Sequence, residues 1–368
     1  MGYGRKSAEI NKYVFAFYLR YVNILRMNIL LTSAGRRTYM VEYFKKALQG
    51  EGLVFASNSQ MSPALPAADG YFLTPVIYDD DYIPFLIEKC REHKIDMVVS
   101  FFDVDLPVLA AHKKEFEAVG TKVIVSDAET LADCNDKYNM FLRLWRNRIR
   151  CPETDVNIDS ALLKIDAMTM SWPVIIKPRF GMGSIGIIKA YDKKELKAAY
   201  GMCMREIKES YLKFESEAAK KECVLIQELR EGNEYGLDVI SDLDGNYIKT
   251  IVRKKLAMRS GETDEAVILG KDDKEYKVLT ELGMQISAAF PTVGLIDVDV
   301  IMSTDNMAPY VIDINARFGG GYPFSYLAGA DVPRAYILMM QGRHEEAVRC
   351  MEEQPGVHGY KDIAIRKM

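Results

Sequence analysis

The chain has only four histidines, and no two lie close together, so a histidine-based metal site is not expected. Its six cysteines, Cys90, Cys134, Cys151, Cys203, Cys223 and Cys350, form no C-x-x-C pair. That argues against a zinc site or a disulfide framework and fits a reducing cytosol. No apolar run reaches the length needed to span a bilayer. Neither charge dominates: the net is −4 over 368 residues, which gives no basic field for nucleic acid. Two nucleotide-binding signatures are also missing. Ser33-Ala-Gly-Arg-Arg37 lacks the three spaced glycines of a dinucleotide fingerprint, and no Gly-Lys-Ser/Thr opens a helix as a P-loop does. What is present is ordinary soluble composition, 49% apolar and 27% charged, in a chain long enough for two or three domains. A cytoplasmic protein with neither nucleic-acid nor membrane partners is the expectation.

Residues 1–26 stand apart. Tyr13–Leu19 is apolar and aromatic between Lys12 and Arg20, but it is short and no small-residue cleavage site follows. A peripheral amphipathic helix stays open. The preferred reading is an accessory extension, or a start assigned too early, because Met27 begins a more typical domain opening.

From there strands and helices alternate. Strands are expected at Asn28–Thr32, Leu53–Ser57, Asp96–Phe101 and Lys122–Val125, with helices at Tyr39–Leu48, Asp81–His93 and Leu106–Val119. This pitch predicts an open parallel α/β sheet, with the loops Ser33–Arg37 and Phe101–Asp105 at its ligand-binding carboxyl edge. Asp103 and Asp105 either face a substrate or cap a helix.

The most informative stretch is Val311–Gly321, VIDINARFGGG. Period-two alternation puts Asp313, Asn315 and Arg317 on one face of a strand. Two hard oxygens and a planar guanidinium in a row suit Mg²⁺ and phosphoryl oxygens. The glycines that follow let backbone N–H groups approach an anion at the start of the next helix, Pro323–Ala330. Leu295–Ile301 carries Asp297 and Asp299 on one face, and Ser303-Thr-Asp-Asn306 is a good turn. A hairpin would bring Asp299 to Asp313 and Asn315; the plainer alternative is an edge hairpin with a solvated polar face.

Other pieces are ambiguous alone. Asp133–Tyr138 opens a helix running to Arg148, and its Lys137 either reaches phosphate or is a surface lysine. Val174–Lys177 and Ile187–Ala190 flank a loop with Gly181, Gly183 and Gly186, either a mobile phosphate flap beside Lys177 or a glycine hairpin. Asp192–Lys220 reads as a charged outer helix. Cys223–Glu228 and Asn233–Ile240 are strands, and Glu228 and Glu234 flank their connection, where carboxylates can hold ribose hydroxyls. Tyr247–Arg253 is a strand, and Arg253, Lys254, Lys255 and Arg259 are either a solvated turn or an anion receptor.

Taken in order, five motifs resemble those of ATP-grasp enzymes, above all single-copy relatives of the carbamoyl-phosphate synthase large subunit. They are DKY at Asp136–Tyr138, VIIKPRFGMGSIG at Val174–Gly186, QELREGNEYGLDV at Gln227–Val239, DVDV at Asp297–Val300, and VIDINARFGGG. The resemblance runs from about Met27 to Gln341. It implies a pre-ATP-grasp, Rossmann-like α/β domain over 27–130 and a two-lobed α+β ATP-grasp domain over 131–345. The mobile lid of that domain would cover 151–226, and a tail 346–368. It implies that Lys137 and Lys177 touch ATP phosphates and that Gly181, Met182, Gly183 and Ser184 form the closing loop. Glu228 and Leu229 would be the adenine hinge, and Glu234 the ribose carboxylate. Asp299, Asp313 and Asn315 would hold Mg²⁺, which Mn²⁺ could replace, and Arg317 would steady the transferred phosphoryl group. Asp stands at the first metal position where many relatives carry Glu or Gln, and Asp313 stands where Glu is common.

The implied chemistry is ATP-dependent joining of a small-molecule carboxylate to an amine through an acyl phosphate, catalysed by Lys177 and Arg317. Arg253, Lys255 and Arg259 are the candidates for holding the acid's carboxylate, Asp103 and the Ser33–Arg37 loop those for contacting the second substrate, and Gly320 is a further substrate candidate. Two alternatives remain at this stage, a carbamate or carboxylate kinase and a non-catalytic ATP-sensing module. Only one grasp unit is present, against a two-phosphorylation route. A homodimer is the base-rate expectation.

Overall fold

The computed structural model describes residues 26–181, 186–210, 212–216, 219 and 222–362. The expected loop residues Met182, Gly183 and Ser184, and nearly all of the expected extension, lie outside the described residues.

The first sheet contains β1 (Asn28–Thr32), β2 (Val54–Asn58), β3 (Gly70–Leu73), β4 (Ile95–Ser100) and β5 (Lys122–Val123). All pairings are parallel, in the order β3-β2-β1-β4-β5. Continuous apolar runs such as Ile29-Leu-Leu31 suit strands buried on both faces. The helices that follow are α1 (Thr38–Leu48), α2 (Tyr82–Glu92), α3 (Asp105–Ala111) and α4 (Lys113–Glu117). The expected helix at 106–119 is therefore two, interrupted at His112. β3 was not expected, because this short edge strand is only half buried and carries a weak apolar signal.

The strand order reverses between β1 and β4, which opens a crevice at their carboxyl ends. The buried Asp105 ties those ends together. It accepts hydrogen bonds from Thr32 Oγ1 (2.6 Å), Ser33 Oγ (3.1 Å), Tyr82 OH (2.7 Å) and Ser100 Oγ (2.7 Å). It is neither a cap nor a substrate contact, and burial raises its pKa against the pull of those donors.

α5 (Ala128–Asn135) and α6 (Lys137–Arg146) lead out of this domain. Asp136 breaks what was expected as one helix, because its extended backbone and carboxylate cap the N–H groups of Tyr138 and Asn139. A second sheet then forms from β6 (Thr154–Asp155), β7 (Val174–Pro178), β8 (Ile188–Ala190) and β9 (Val224–Glu228), in the order β6-β9-β7-β8. Its helices are α7 (Ile158–Asp166), α8 (Lys193–Glu209) and α9 (Leu212–Ser216). The charged helix expected over 192–220 stops at Ser210, whose backbone is extended. This unit has a core of its own, including Val174, Ile176, Leu196, Cys203, Val224 and Ile226.

The third sheet comprises β10 (Asn233–Ser241), β11 (Tyr247–Arg259), β12 (Glu262–Ile268), β13 (Leu295–Met302), β14 (Pro309–Asn315) and β15 (His358–Tyr360). It is antiparallel, in the order β14-β13-β10-β11-β12-β15. α10 (Lys274–Ala289), α11 (Tyr322–Leu327), α12 (Val332–Met340) and α13 (His344–Arg349) complete it. β11 does not end at Arg253. It runs on to a two-residue turn in which Ser260 and Gly261 both have positive φ (51° and 79°), the geometry that joins tight hairpins. The 346–368 segment is more than a tail: β15 pairs with β12, and Ala347 and Met351 are fully buried. Among the described residues no helix is long and apolar enough to cross a membrane.

Candidate active site

All three sheets contribute to a cavity of about 1300 Å³. Its floor is the β13–β14 hairpin. The register pairs Asp299 with Asp313 and Asp297 with Asn315, so four oxygen-bearing side chains share one face. The expected juxtaposition of Asp299, Asp313 and Asn315 is present. Arg317 lies just beyond the strand and joins the row by donating Nη2 to Asn315 Oδ1 (3.1 Å). It also donates Nε and Nη2 to Asp103 Oδ2 (3.0 and 2.7 Å), which couples the first domain to the hairpin. Asp103 borders an adjoining pocket with Lys137, Gly181, Asp313 and Asn315.

Two lysines reach the cavity from the second sheet and its junction. Lys177 is buried on β7, with Gln227 Oε1 as its hydrogen-bond acceptor (2.9 Å). Burial lowers its pKa to about 8, with Asp313 opposing and the nearby Lys137 reinforcing the shift. Lys137, at the first turn of α6, donates to the Gly181 carbonyl (2.7 Å) and lies 3.6 Å from Asp313. Both therefore face the cavity rather than bulk solvent. Gly181 has φ +97°, and a Cβ there would strike Leu212 at 2.2 Å, so the loop entrance needs glycine.

Lys255 lines the cavity and pairs with Asp299 (2.5 Å). Burial opposes its charge, but Asp299 more than compensates and its pKa ends above the ordinary value. Glu234 and Gly320 also line the cavity. Two substrate candidates are corrected. Arg253 is fully buried beneath the floor, paired with Asp238 and Asp297 (the latter at 2.7 Å) and donating to Ser325, and it does not line the cavity. Arg259 is exposed at the hairpin tip, paired with Asp264, and does not line the cavity. β9 ends at Glu228 with Leu229 just beyond it, and neither lines the cavity. The buried Glu228 carboxylate accepts from Ser171 and Arg230 instead, and the Leu229 N–H is given to the Pro173 carbonyl.

The sequence reading missed several wall residues: Tyr39 and Tyr43 on α1, Glu262 at the start of β12, and Lys361 after β15. The Ser260-Gly261 turn dipeptide signalled the hairpin that carries Glu262. Nothing local signalled Lys361, which reaches Glu262 (3.2 Å) only through tertiary pairing.

Among the described residues no three His, Cys, Asp or Glu side chains gather into a metal shell. The donor set is two facing carboxylates and one amide oxygen. That set fits an ion such as Mg²⁺, which binds through one or two carboxylates and completes its shell with waters and phosphate oxygens.

This architecture has relatives. Residues 134–321 match the model of the ATP-grasp domain, and residues 29–124 that of the PylC-like N-terminal domain. The chain belongs to the ATP-grasp family. Carbamoyl phosphate synthase large chain from Campylobacter jejuni is 24% identical over 293 residues, 77% of this ATP-grasp chain and 24% of that one. The Pyrococcus furiosus large chain is 22% identical over 305 residues, covering 77% and 27%. The chain thus spans about a quarter of the length of these curated relatives. Biotin carboxylase from Campylobacter jejuni superposes with TM-score 0.67 at 17% identity, over 87% of this chain and 72% of that one. An L-amino acid ligase from Bacillus licheniformis gives 0.63 at 18%, over 90% and 78%. N5-carboxyaminoimidazole synthetase from Staphylococcus aureus, complexed with ADP, gives 0.65 at 16%, over 91% and 81%. At these identities the likeness is one of fold, and it extends beyond the grasp sheets into the first domain.

Proposed function

We propose that the protein is an ATP-dependent carboxylate–amine ligase working through an acyl phosphate. One observation carries the reading. The β13–β14 register sets Asp299 against Asp313, beside Asn315 and Arg317, in a cavity that also receives Lys137 and Lys177. The relatives support it in kind: an amino acid ligase and biotin carboxylase share the fold, and one relative was solved with ADP.

A carboxylate is a poor electrophile because its charge is delocalised. In the proposed first step a carboxylate oxygen of the substrate attacks the γ-phosphorus of ATP, and the bond to the β–γ bridging oxygen breaks to leave ADP. In the second, an amine attacks the acyl carbon, phosphate departs, and the nitrogen gives up a proton. Lys137 and Lys177 would hold phosphate oxygens, and Arg317, oriented by Asp103, would steady the phosphoryl group in transit. Mg²⁺ on Asp299, Asp313 and Asn315 would neutralise phosphate charge. Glu234 is the carboxylate assigned to ribose. No side chain needs to be a nucleophile; positioning and exclusion of water do the work.

The test is nucleotide product formation from Mg-ATP with pooled amino acids, sugar acids and amines. ADP and phosphate appearing only with acid-containing pools support the proposal. AMP and pyrophosphate would mean adenylation and would overturn it. A phosphorylated acid released without amine incorporation would make the protein a carboxylate kinase.

A further inference from the structure

Arg37 ends the loop after β1 and lines the cavity. Its Nη1 donates to the Phe318 carbonyl oxygen (2.6 Å), and Arg317 Nη1 donates to the same oxygen (3.1 Å). Its guanidinium also lies 5.7 Å from the Phe101 ring centroid. Two cations thus converge on one neutral acceptor. Arg317 is balanced by Asp103, but Arg37 has no carboxylate within ion-pair distance among the described residues. The carboxylates that reach it electrostatically, Asp103 and Asp297, are already held by Arg317 and Arg253. Burial and the neighbouring Arg317 both disfavour its charge, yet a guanidinium does not give up its proton. An uncompensated cation at a cavity wall is costly unless an anion arrives to meet it.

We propose that Arg37 is the receptor for the substrate's carboxylate, an assignment that rests on the ligase reading above. The ligand is a small organic acid whose carbon body lies against Tyr39 and Tyr43, which line the same wall with ring centroids 5.9 Å apart. The Tyr39 phenol, neutral at ordinary pH and pushed further up by burial, presents a donor rather than a negative charge. The first domain would bring the acid, and the other two sheets the nucleotide. The two meet at the Phe318 carbonyl, where Arg37 stands beside the arginine assigned to the phosphoryl group. A purely structural role for Arg37 would need only the single hydrogen bond to Phe318, which a neutral amide can also donate.

That difference defines the experiment. Carboxyl-labelled acetate is titrated into the full chain with Mg²⁺ and a non-hydrolysable ATP analogue, and its carbon resonance is followed. The wild type should perturb the signal saturably. Arg37→Gln, which keeps an N–H donor, should weaken acetate binding about 10- to 100-fold, the loss expected for charge-assisted hydrogen bonds. Arg37→Lys should fall between them, and melting temperatures should report whether the variants fold. No acetate binding by the wild type, or equal binding by Arg37→Gln, overturns the receptor. In the pooled-acid assay Arg37→Gln should raise the acid concentration for half-maximal ADP release and leave that for ATP unchanged. ADP release with unaltered acid dependence in Arg37→Gln would sink the receptor and spare the ligase. Acetate held through Arg37 with no ADP from any pool would sink the ligase and spare the receptor as an anion site.

Discussion

Burial brings the pKa of Lys177 to about 8, so its charge is a function of pH near neutrality. The folded value lies below the ordinary 10.5. Keeping Lys177 charged therefore costs stability at every pH below about 8, and the cost fades as pH rises from there toward the unfolded value. Ligand binding runs the other way, because a phosphate needs the protonated form. In the free protein the affinity for ATP should fall as pH rises through 8, and Lys177→Arg should flatten that profile; equilibrium binding of a fluorescent nucleotide would read both. A wild-type profile flat from pH 7 to about 9.5 would remove Lys177 from the phosphate site. Lys177→Met separates function from stability: turnover should vanish while urea stability at pH 7 stays level or rises by up to about 3 kcal/mol. Asp313→Asn is nearly isosteric and should fold normally while ADP formation falls about a hundredfold or more. Retained turnover in this variant would move the ion away from the hairpin.

At the scale of elements, the floor of the site is held by charge as well as by strand pairing. Arg253 on β11 bridges Asp238 on β10 and Asp297 on β13, three neighbouring strands, with Ser325 of α11 closing the cluster. Removing the guanidinium leaves two buried carboxylates facing each other. Asp297, already pushed up to about 6 chiefly by burial, would be the first to take a proton. Arg253→Met should cost about 3–5 kcal/mol in urea unfolding, whereas Arg259→Gln at the exposed tip should cost less than about 1. Equal losses would contradict the burial argument. This pair also shows where reading a sequence stops. The β13–β14 hairpin was legible because alternation places the side chains and Ser303-Thr-Asp-Asn306 places the turn. Both signals are local. Arg253 and Arg259 looked alike because what separates them, the acids one and two strands away from Arg253, is tertiary. The Asp103–Arg317 pair spans 214 residues and has no local signature. The continuation of β11 past Arg253 was hidden by its cations, which suit an edge of the cavity as well as a turn.

Across the whole molecule the expected boundary near residue 130 is a boundary of sheets but not of cores. Ile29, Leu31, Val41, Phe44, Ala56 and Val99 from the first domain pack in one cluster with Phe318, Tyr322, Val332, Tyr336 and Ile337. Arg334 Nη1 adds a hydrogen bond to the Ala47 carbonyl at 2.9 Å. The second sheet differs, because among the described residues the buried members of its cluster all lie between Ala161 and Ile226. Burial of apolar surface is what stabilises a unit, at about 25 cal/mol per Å², so units should follow clusters rather than sheets. Residues 27–130 expressed alone would expose one face of α1 and β1 and should not unfold cooperatively. The full chain should lose the first and third sheets together, with the second able to open separately. Hydrogen exchange checks this directly: β1, β4 and β13 should share one opening free energy, and β7 and β9 a lower one. Binding of a nucleotide that spans Lys177 and Asp313 should then slow exchange in β7 and β9 more than in β1. A cooperatively folded 27–130 fragment would mean that the first sheet is stable without the shared core, and exchange in β7 as slow as in β13 without nucleotide would mean that the second sheet does not open separately.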